Sequence, residues 1–251
     1  MVMPIGDDNT GRRITPLVNY TLLAANVLVF VLFQGMGENE KFTYSFSTVP
    51  REIVSGEDQV TADREVEHPI TGQKVSVPGL QPTPISVYIT LLTSMFMHGG
   101  IAHLLGNMLF LWIFGDNIED ELGHLRYAVF YLVCGLVASL AHVFTTVAFS
   151  GAGGEEALIP SLGASGAISG VLGGYIMLHP HRRVTVILFR MLTQVPAYVA
   201  IGLWFLFQII SSLGALGEGT QTGGVAYAAH IGGFIAGLVL IKPFAVGRAI
   251  S

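Results

Sequence analysis

The stretch Ile159-Pro160-Ser161-Leu162-Gly163-Ala164-Ser165-Gly166-Ala167-Ile168-Ser169-Gly170 places serines among small residues, and an uncharged apolar run continues from it to Leu178. Pro160 ends whatever element precedes it. From Gly163 onward the run has helical length, which puts Ser165 in the first turn of a helix. Unpaired backbone N–H groups at a helix N-terminus point toward that position, and the helix dipole favours negative charge there. A serine that must become an alkoxide, beside a carbonyl that must become an oxyanion, gains from both. Gly163, Gly166 and Gly170 carry no Cβ and Ser169 is small, so another backbone can approach closely. Small residues at this spacing also serve plain helix packing in lipid, and the stretch alone leaves both readings open.

Other polar groups add to the case. His103 and Asn107 lie i, i+4 in the apolar run Ile101 to Gly115, one turn apart on one face. Both can donate hydrogen bonds to a developing oxyanion alongside the Ser165 amide. His98, in Met97-His98-Gly99-Gly100, precedes that run and is placed to order the loop. His230 sits in a further run, Gly224 to Ile241. A histidine beside Ser165 takes its proton as general base and returns it as general acid. No Asp or Glu lies in any of the expected spans, so an Asp-completed triad is not expected. Zinc held by His98, His103 and His230 is the competing chemistry. It lacks a His-Glu-x-x-His pattern and a nearby acid to act as base. No metal and no cofactor is expected.

The elements that must position these side chains are set by composition. Of 251 residues, 51% are hydrophobic and only 12% charged, against about 25% charged in a soluble domain. Mean hydropathy is +0.62. Several uncharged apolar runs are each read as long enough to cross a bilayer, which needs roughly 20 residues. The expectation is an all-α, polytopic membrane protein with six transmembrane helices over residues 17–33, 101–115, 125–149, 163–178, 196–212 and 224–241. Pro84 to Met97 is apolar but broken by His98-Gly99-Gly100, and reads as partly interfacial. Around this membrane domain, residues 17–245, lie a polar N-terminal tail, residues 1–16, and a short C-terminal tail, residues 246–251. No small-x-small cleavage site follows the first run, which favours a retained span. Residues 36–83 form a long acidic loop with a weak hairpin pattern around Thr71-Gly72. Asp116 to His124 reads as a short acidic turn, and Val184 to Gln194, which contains Arg190, as a cytoplasmic connection.

Basic residues orient the spans. With the N-terminus in the cytoplasm, Arg12, Arg13, Arg126, Arg182, Arg183, Arg190, Lys242 and Arg248 are inside, and Lys41, Arg51, Arg64 and Lys74 are outside in the long loop. Ser165, His103, Asn107 and His230 then share the outer half of the membrane. Gly166, Gly170 and Gly174 repeat every four residues on one span, as Gly233 and Gly237 do on another. Two glycine-lined helices can pack backbone to backbone and bring His230 to Ser165. The net charge of −5 gives no case for a nucleic-acid partner. The single cysteine, Cys134, cannot form an intrachain disulfide.

Taken together, Met97-His98-Gly99-Gly100 with His103 and Asn107, then Gly163-Ala164-Ser165-Gly166, then Ala229-His230-Ile231-Gly232-Gly233, resemble the rhomboid family of intramembrane serine proteases over about residues 17–245. The resemblance implies a compact six-helix bundle with a Ser165–His230 dyad below the outer surface. It implies an oxyanion site of His103, Asn107 and the Ser165 amide, supported by His98, Gly163, Gly166 and Ser169. It also implies a water-filled cavity, a lateral gate at the fifth span with Trp204, and cleavage of single-span membrane proteins near their outer ends within the lipid bilayer. A bacterial or archaeal cell membrane is the expected location. Two departures stand out. Some members carry a tyrosine one turn after the serine, stacked on the base, where this chain has Ser169. Some carry Trp-Arg in the first outer loop, whereas the two tryptophans here are Trp112 and Trp204. A catalytically dead relative would usually lack the serine or the histidine, and this chain has both. A channel would need polar groups along its whole depth.

Overall fold

The computed structural model describes residues 2–67, 74–188, 191–218 and 224–247. In chain order the elements are β1 (Val2–Asp7), α1 (Leu17–Phe33), α2 (Glu40–Ser45), α3 (Pro50–Ser55), β2 (Arg64–Glu67), β3 (Lys74–Val77) and α4 (Val87–Phe96). They continue with α5 (Ile101–Leu122), α6 (His124–Ser150), α7 (Ser165–Leu178), β4 (Arg183–Leu188), β5 (Met191–Pro196), α8 (Ala197–Glu218) and α9 (Gly224–Ala245). Among the described residues α5, α6 and the Tyr227–Ala245 part of α9 are long and apolar enough to cross a membrane, and Leu17–Phe33, Val87–Phe96, Ser165–Leu178 and Ala197–Phe207 are shorter apolar helices.

The bundle is built around α7. Every residue from Gly166 to Tyr175 is buried, against α6 on one side and α9 on the other. Glycine at two positions of α9 is what the close approach requires. A methyl at Gly233 would run into the carbonyl oxygen of Gly166, and one at Gly237 into that of Gly170. The third member of the expected α7 stripe is displaced. Gly173, not Gly174, meets the α9 backbone, at the Phe234 carbonyl, while Gly174 faces the side chains of Phe130 and Ile241.

The expected acidic turn is helical. α5 continues through a wide π-helical turn at Leu111–Gly115 into Asp116–Leu122, and Asn19 Nδ2 donates to the Leu111 carbonyl at 3.0 Å. The carboxylates of this last segment are buried because the N-terminal segment is strapped across them. Arg12 pairs with Asp116, and Arg13 reaches Asp120 and Glu121 at 3.1 Å each. Glu119 accepts from the amides of Val18 at 2.9 Å and Asn19 at 2.6 Å, placing a carboxylate at the positive end of α1.

Residues 2–16 are therefore tied to the bundle, and the described residues are not all-α. They are mostly helical with a small three-stranded antiparallel sheet in the order β1-β4-β5. The stretch expected to be a plain connection supplies β4 and β5, with Arg190 outside the described residues. Alternation explains the strand, since Val184 and Val186 point into the core between less buried neighbours. β1 is fastened at its end by Asp7, whose Oδ2 accepts from Tyr175 Oη at 2.6 Å and Asn117 Nδ2 at 2.7 Å. In the long loop β2 and β3 pair antiparallel, and the Thr71-Gly72 turn lies outside the described residues. α9 runs past Lys242-Pro243, where the sequence suggested a stop, to Ala245.

The long loop docks on the bundle through Ile53, packed with Leu91 and Val143, and through two backbone bonds between Thr48 and Ser161, at 3.0 and 2.8 Å. Beside Ile53 the Glu52 side chain is buried, and burial pushes its carboxyl up to about 7, with the Gln59 amide working against the rise and Asp58 with it. A carboxyl raised in the folded state above its ordinary 4.5 binds its proton more tightly when docked. That contribution is full below pH 4.5 and is lost as pH rises through 7. Hydrogen exchange at residues 50–59 should therefore speed up between these values, and Glu52→Gln should flatten the dependence. Exchange that slows with rising pH, after correction for intrinsic rates, would contradict it.

The α7–α9 contact yields a second expectation. Gly237→Ala should destabilise the protein by about 1–3 kcal/mol, because the added methyl meets backbone that cannot retreat without parting the helices. Gly174→Ala meets only side-chain ends and should be milder. Denaturant unfolding of the two variants separates these cases, and equal stabilities would refute the close-contact account.

Candidate active site

Gly163 enters α7 with a positive φ of 119° and donates its amide to the Ser94 carbonyl at 2.8 Å, so the turn before the helix is fixed by α4. Ser165 is the first residue of α7. Across the glycine contact, α9 sets His230 Nε2 2.7 Å from Ser165 Oγ. Ser169, one turn on, is fully buried and donates its hydroxyl to the Ser165 carbonyl at 2.7 Å. It therefore braces the backbone of Ser165.

Two rings flank His230. The Trp204 ring from α8 lies 6.1 Å away, tilted at 43°, and the Tyr227 ring 6.3 Å away, edge-on at 88°. Tyr227 was not singled out in the sequence. The signal for it was its i, i+3 spacing from His230 on one helix face.

The α5 pair converges on the same place. Gly99 N–H donates to His103 Nδ1 at 3.4 Å. A neutral imidazole that accepts at Nδ1 carries its proton on Nε2. A methyl built at Gly163 would lie 2.9 Å from His103 Nε2 and 3.7 Å from Asn107 Nδ2, so both donors border the turn that precedes Ser165. Asn107 is 8% exposed, and its Nδ2 has no hydrogen-bond partner among the described residues. A buried amide donor left open in this way is a place for an acceptor that arrives with a ligand. His98 is fully buried and packs edge-on against His103, ring centroids 5.2 Å apart.

These groups line one cleft of about 340 Å³, bordered by His103, Asn107, Phe110, Ser165, Trp204 and His230. Phe110 and Trp204, at 5.6 Å between centroids, close its side between α5 and α8. Among the described residues no three His, Cys, Asp or Glu side chains are grouped to hold a metal ion. The arrangement offers a hydroxyl in contact with an imidazole, and beside them donors with no charge of their own to neutralise. That set is suited to acyl transfer.

The rhomboid domain family model matches residues 86–245. Rhomboid protein 1, mitochondrial, of Saccharomyces cerevisiae is 29% identical over 247 residues, covering 89% of this chain and 63% of the yeast protein. Rhomboid protease GluP of Bacillus subtilis is 33% identical over 160 residues, 63% of this chain and 26% of that protein. Presenilin-associated rhomboid-like protein, mitochondrial, of Bos taurus is 32% identical over 127 residues, 47% of this chain and 32% of the bovine protein. The chain thus spans less than two thirds of each of these relatives. Two of the three are named as mitochondrial, so a bacterial or archaeal cell membrane has no support from them. Because the family model runs through more than half of the sequence, from α4 to the end of α9, this chain belongs to the rhomboid family of membrane proteins.

Proposed function

We propose that this chain is an intramembrane serine endopeptidase that cleaves membrane-protein segments near their outer ends. The 2.7 Å contact between His230 Nε2 and Ser165 Oγ carries the reading. Ser165 Oγ attacks the scissile carbonyl while His230 Nε2 takes its proton. The oxyanion of the tetrahedral intermediate receives hydrogen bonds from His103 Nε2–H, Asn107 Nδ2–H and the Ser165 amide. Collapse breaks the C–N bond, and His230 passes the proton to the leaving amine. Water then attacks the acyl-serine, with His230 as base again, and releases the acid and the serine. The rings of Trp204 and Tyr227 take the place of the tyrosine that some relatives stack on the base.

On this reading residues 17–245 form the membrane domain. α1, α5, α6, α7, α8 and α9 span the bilayer, α4 lies near its outer face, and the N-terminal segment with its sheet is cytoplasmic. The substrates are single-span membrane proteins that enter from lipid between α5 and α8, past Phe110 and Trp204.

The dyad should behave as a unit. Ser165→Ala should abolish cleavage, His230→Ala should nearly do so, and the double variant should be no worse than the serine variant. Asn107→Ala should lower kcat about 10²- to 10³-fold, the usual loss for one oxyanion donor. A fluorophosphonate probe should label the Ser169→Ala protein and not the Ser165→Ala protein. The reverse labelling would overturn the assignment of the nucleophile.

Substrate choice follows from hydrogen bonding. A peptide bond inside a membrane helix must unwind before Ser165 can reach it. Gly lowers that barrier by roughly 1 kcal/mol and Pro by about 3 relative to Ala. Single-span substrates with such residues near the outer end should be cut, and a polyleucine span without them should not. Equal rates for the two in a reconstituted assay would count against the reading.

A further inference from the structure

Gln34 stands at the end of α1, fully buried, and no step described so far uses it. Its side-chain amide is committed on every side. Nε2 donates to the His98 carbonyl at 2.8 Å and to Thr43 Oγ1 at 2.7 Å, and Oε1 accepts from the His98 amide at 3.0 Å. The glutamine thus grips both peptide groups of His98 in the donor–acceptor exchange that two paired strands make. A reversed amide would set N–H against N–H and C=O against C=O, so the contacts themselves fix its orientation. The turn that follows is held as firmly. Met36 has φ of 62°, a left-handed conformation for a residue with a side chain, and Gly37 lies against Gly100. Strain of that kind persists only where the surroundings over-determine the backbone.

What is gripped is the residue before Gly99, and the Gly99 amide is the group that donates to His103 Nδ1. At 3.4 Å that bond is at the long end of the range, so a shift of a few tenths of an ångström in the His98–Gly99 backbone removes it. Without it nothing on this path holds the proton on Nε2. In the other tautomer Nε2 turns a lone pair toward the oxyanion in place of a donor.

We propose that Gln34 is a positioning residue for the oxyanion site, acting through the His98 backbone and the Gly99 amide to hold His103 as an Nε2–H donor. This rests on the reading of His103 as an oxyanion donor. It ties the rate of the chemical step to the C-terminal end of α1, where Gln34 stands.

The test uses the full chain in lipid vesicles with a cleavable single-span substrate. Gln34→Met keeps the length and loses all three bonds. Gln34→Asn keeps the amide but is one methylene too short to bridge both His98 groups, and serves if the first variant does not fold. Thr43→Val removes the bond outside the grip, together with the Thr43 hydroxyl's own bond to the Asn39 carbonyl, and leaves both bonds to His98. The Gln34 variants should lower kcat about 10- to 100-fold, the range for partners that orient catalytic ligands, with KM within about twofold. Thr43→Val should leave kcat unchanged. The ¹⁵N signals of the His103 ring, assigned with His103→Ala, should move away from the Nε2–H pattern in the Gln34 variants alone. Placed on His103→Ala, Gln34→Met should cause no further loss. Unchanged kcat and ring signals in the Gln34 variants would overturn the proposal while leaving the oxyanion reading in place, as would an equal loss in Thr43→Val. A His103→Ala protein with unchanged kcat would instead remove the oxyanion reading, and the proposal with it.

Discussion

The carbonyl oxygens of Gly166 and Gly170 lie so close to Gly233 and Gly237 that no Cβ would fit between them, and the reach of His230 to Ser165 depends on that contact. Any side chain there would hold the two helix axes apart, and His230 would no longer reach Ser165 across the gap. In lipid there is little hydrophobic drive to bring helices together, so close van der Waals contact between backbones has to do it. α6 completes the arrangement, since Ala138 and Cys134 fill the sides of Gly166 and Gly170 that α9 leaves open. Ser165 therefore sits at the start of a helix buried from Gly166 to Tyr175, where it borders a cleft.

The two ends of the molecule use polar chemistry differently. At the far end from Ser165 the buried carboxylates of α5 are met by arginines, backbone amides and the Asn117 side chain. Removing a partner from such a network leaves a buried charge exposed to nothing but apolar surroundings. Beside Ser165, by contrast, Asn107 Nδ2 is open among the described residues. One network is closed and fixes α1 on α5, and the other keeps a buried donor open.

Much of the site was legible in the sequence because its signals are local. A serine at the start of a glycine-rich run, a His–Asn pair one turn apart and a histidine followed by glycines can each be read within a dozen residues. Periodicity also found the apolar helices, although the bound at Gly115 came too early. The acids that follow it are tolerable in a helix only because Arg12 and Arg13 meet them from about a hundred positions away. The sheet escaped for the same reason: β1 and β4 are short, and what makes them strands is each other. Gln34 was invisible because a lone glutamine in a polar junction carries no pattern. Its meaning lies in two atoms of His98.

The sheet bears on α8 as a clamp bears on a beam. Ala197 donates to the Arg182 carbonyl at 2.9 Å and Tyr198 to the Pro180 carbonyl at 3.1 Å, directly where β5 becomes α8. Along the first turns Ala197, Ala200 and Ile201 are fully buried, while Leu206, Phe207 and Ile210 are at least half exposed. The first turn of α8 is thus held by the sheet through its backbone, and enclosure falls from there toward Ile210. The N-terminal strand reaches the cleft wall indirectly, through its pairing with β4 and that of β4 with β5, which leads into α8.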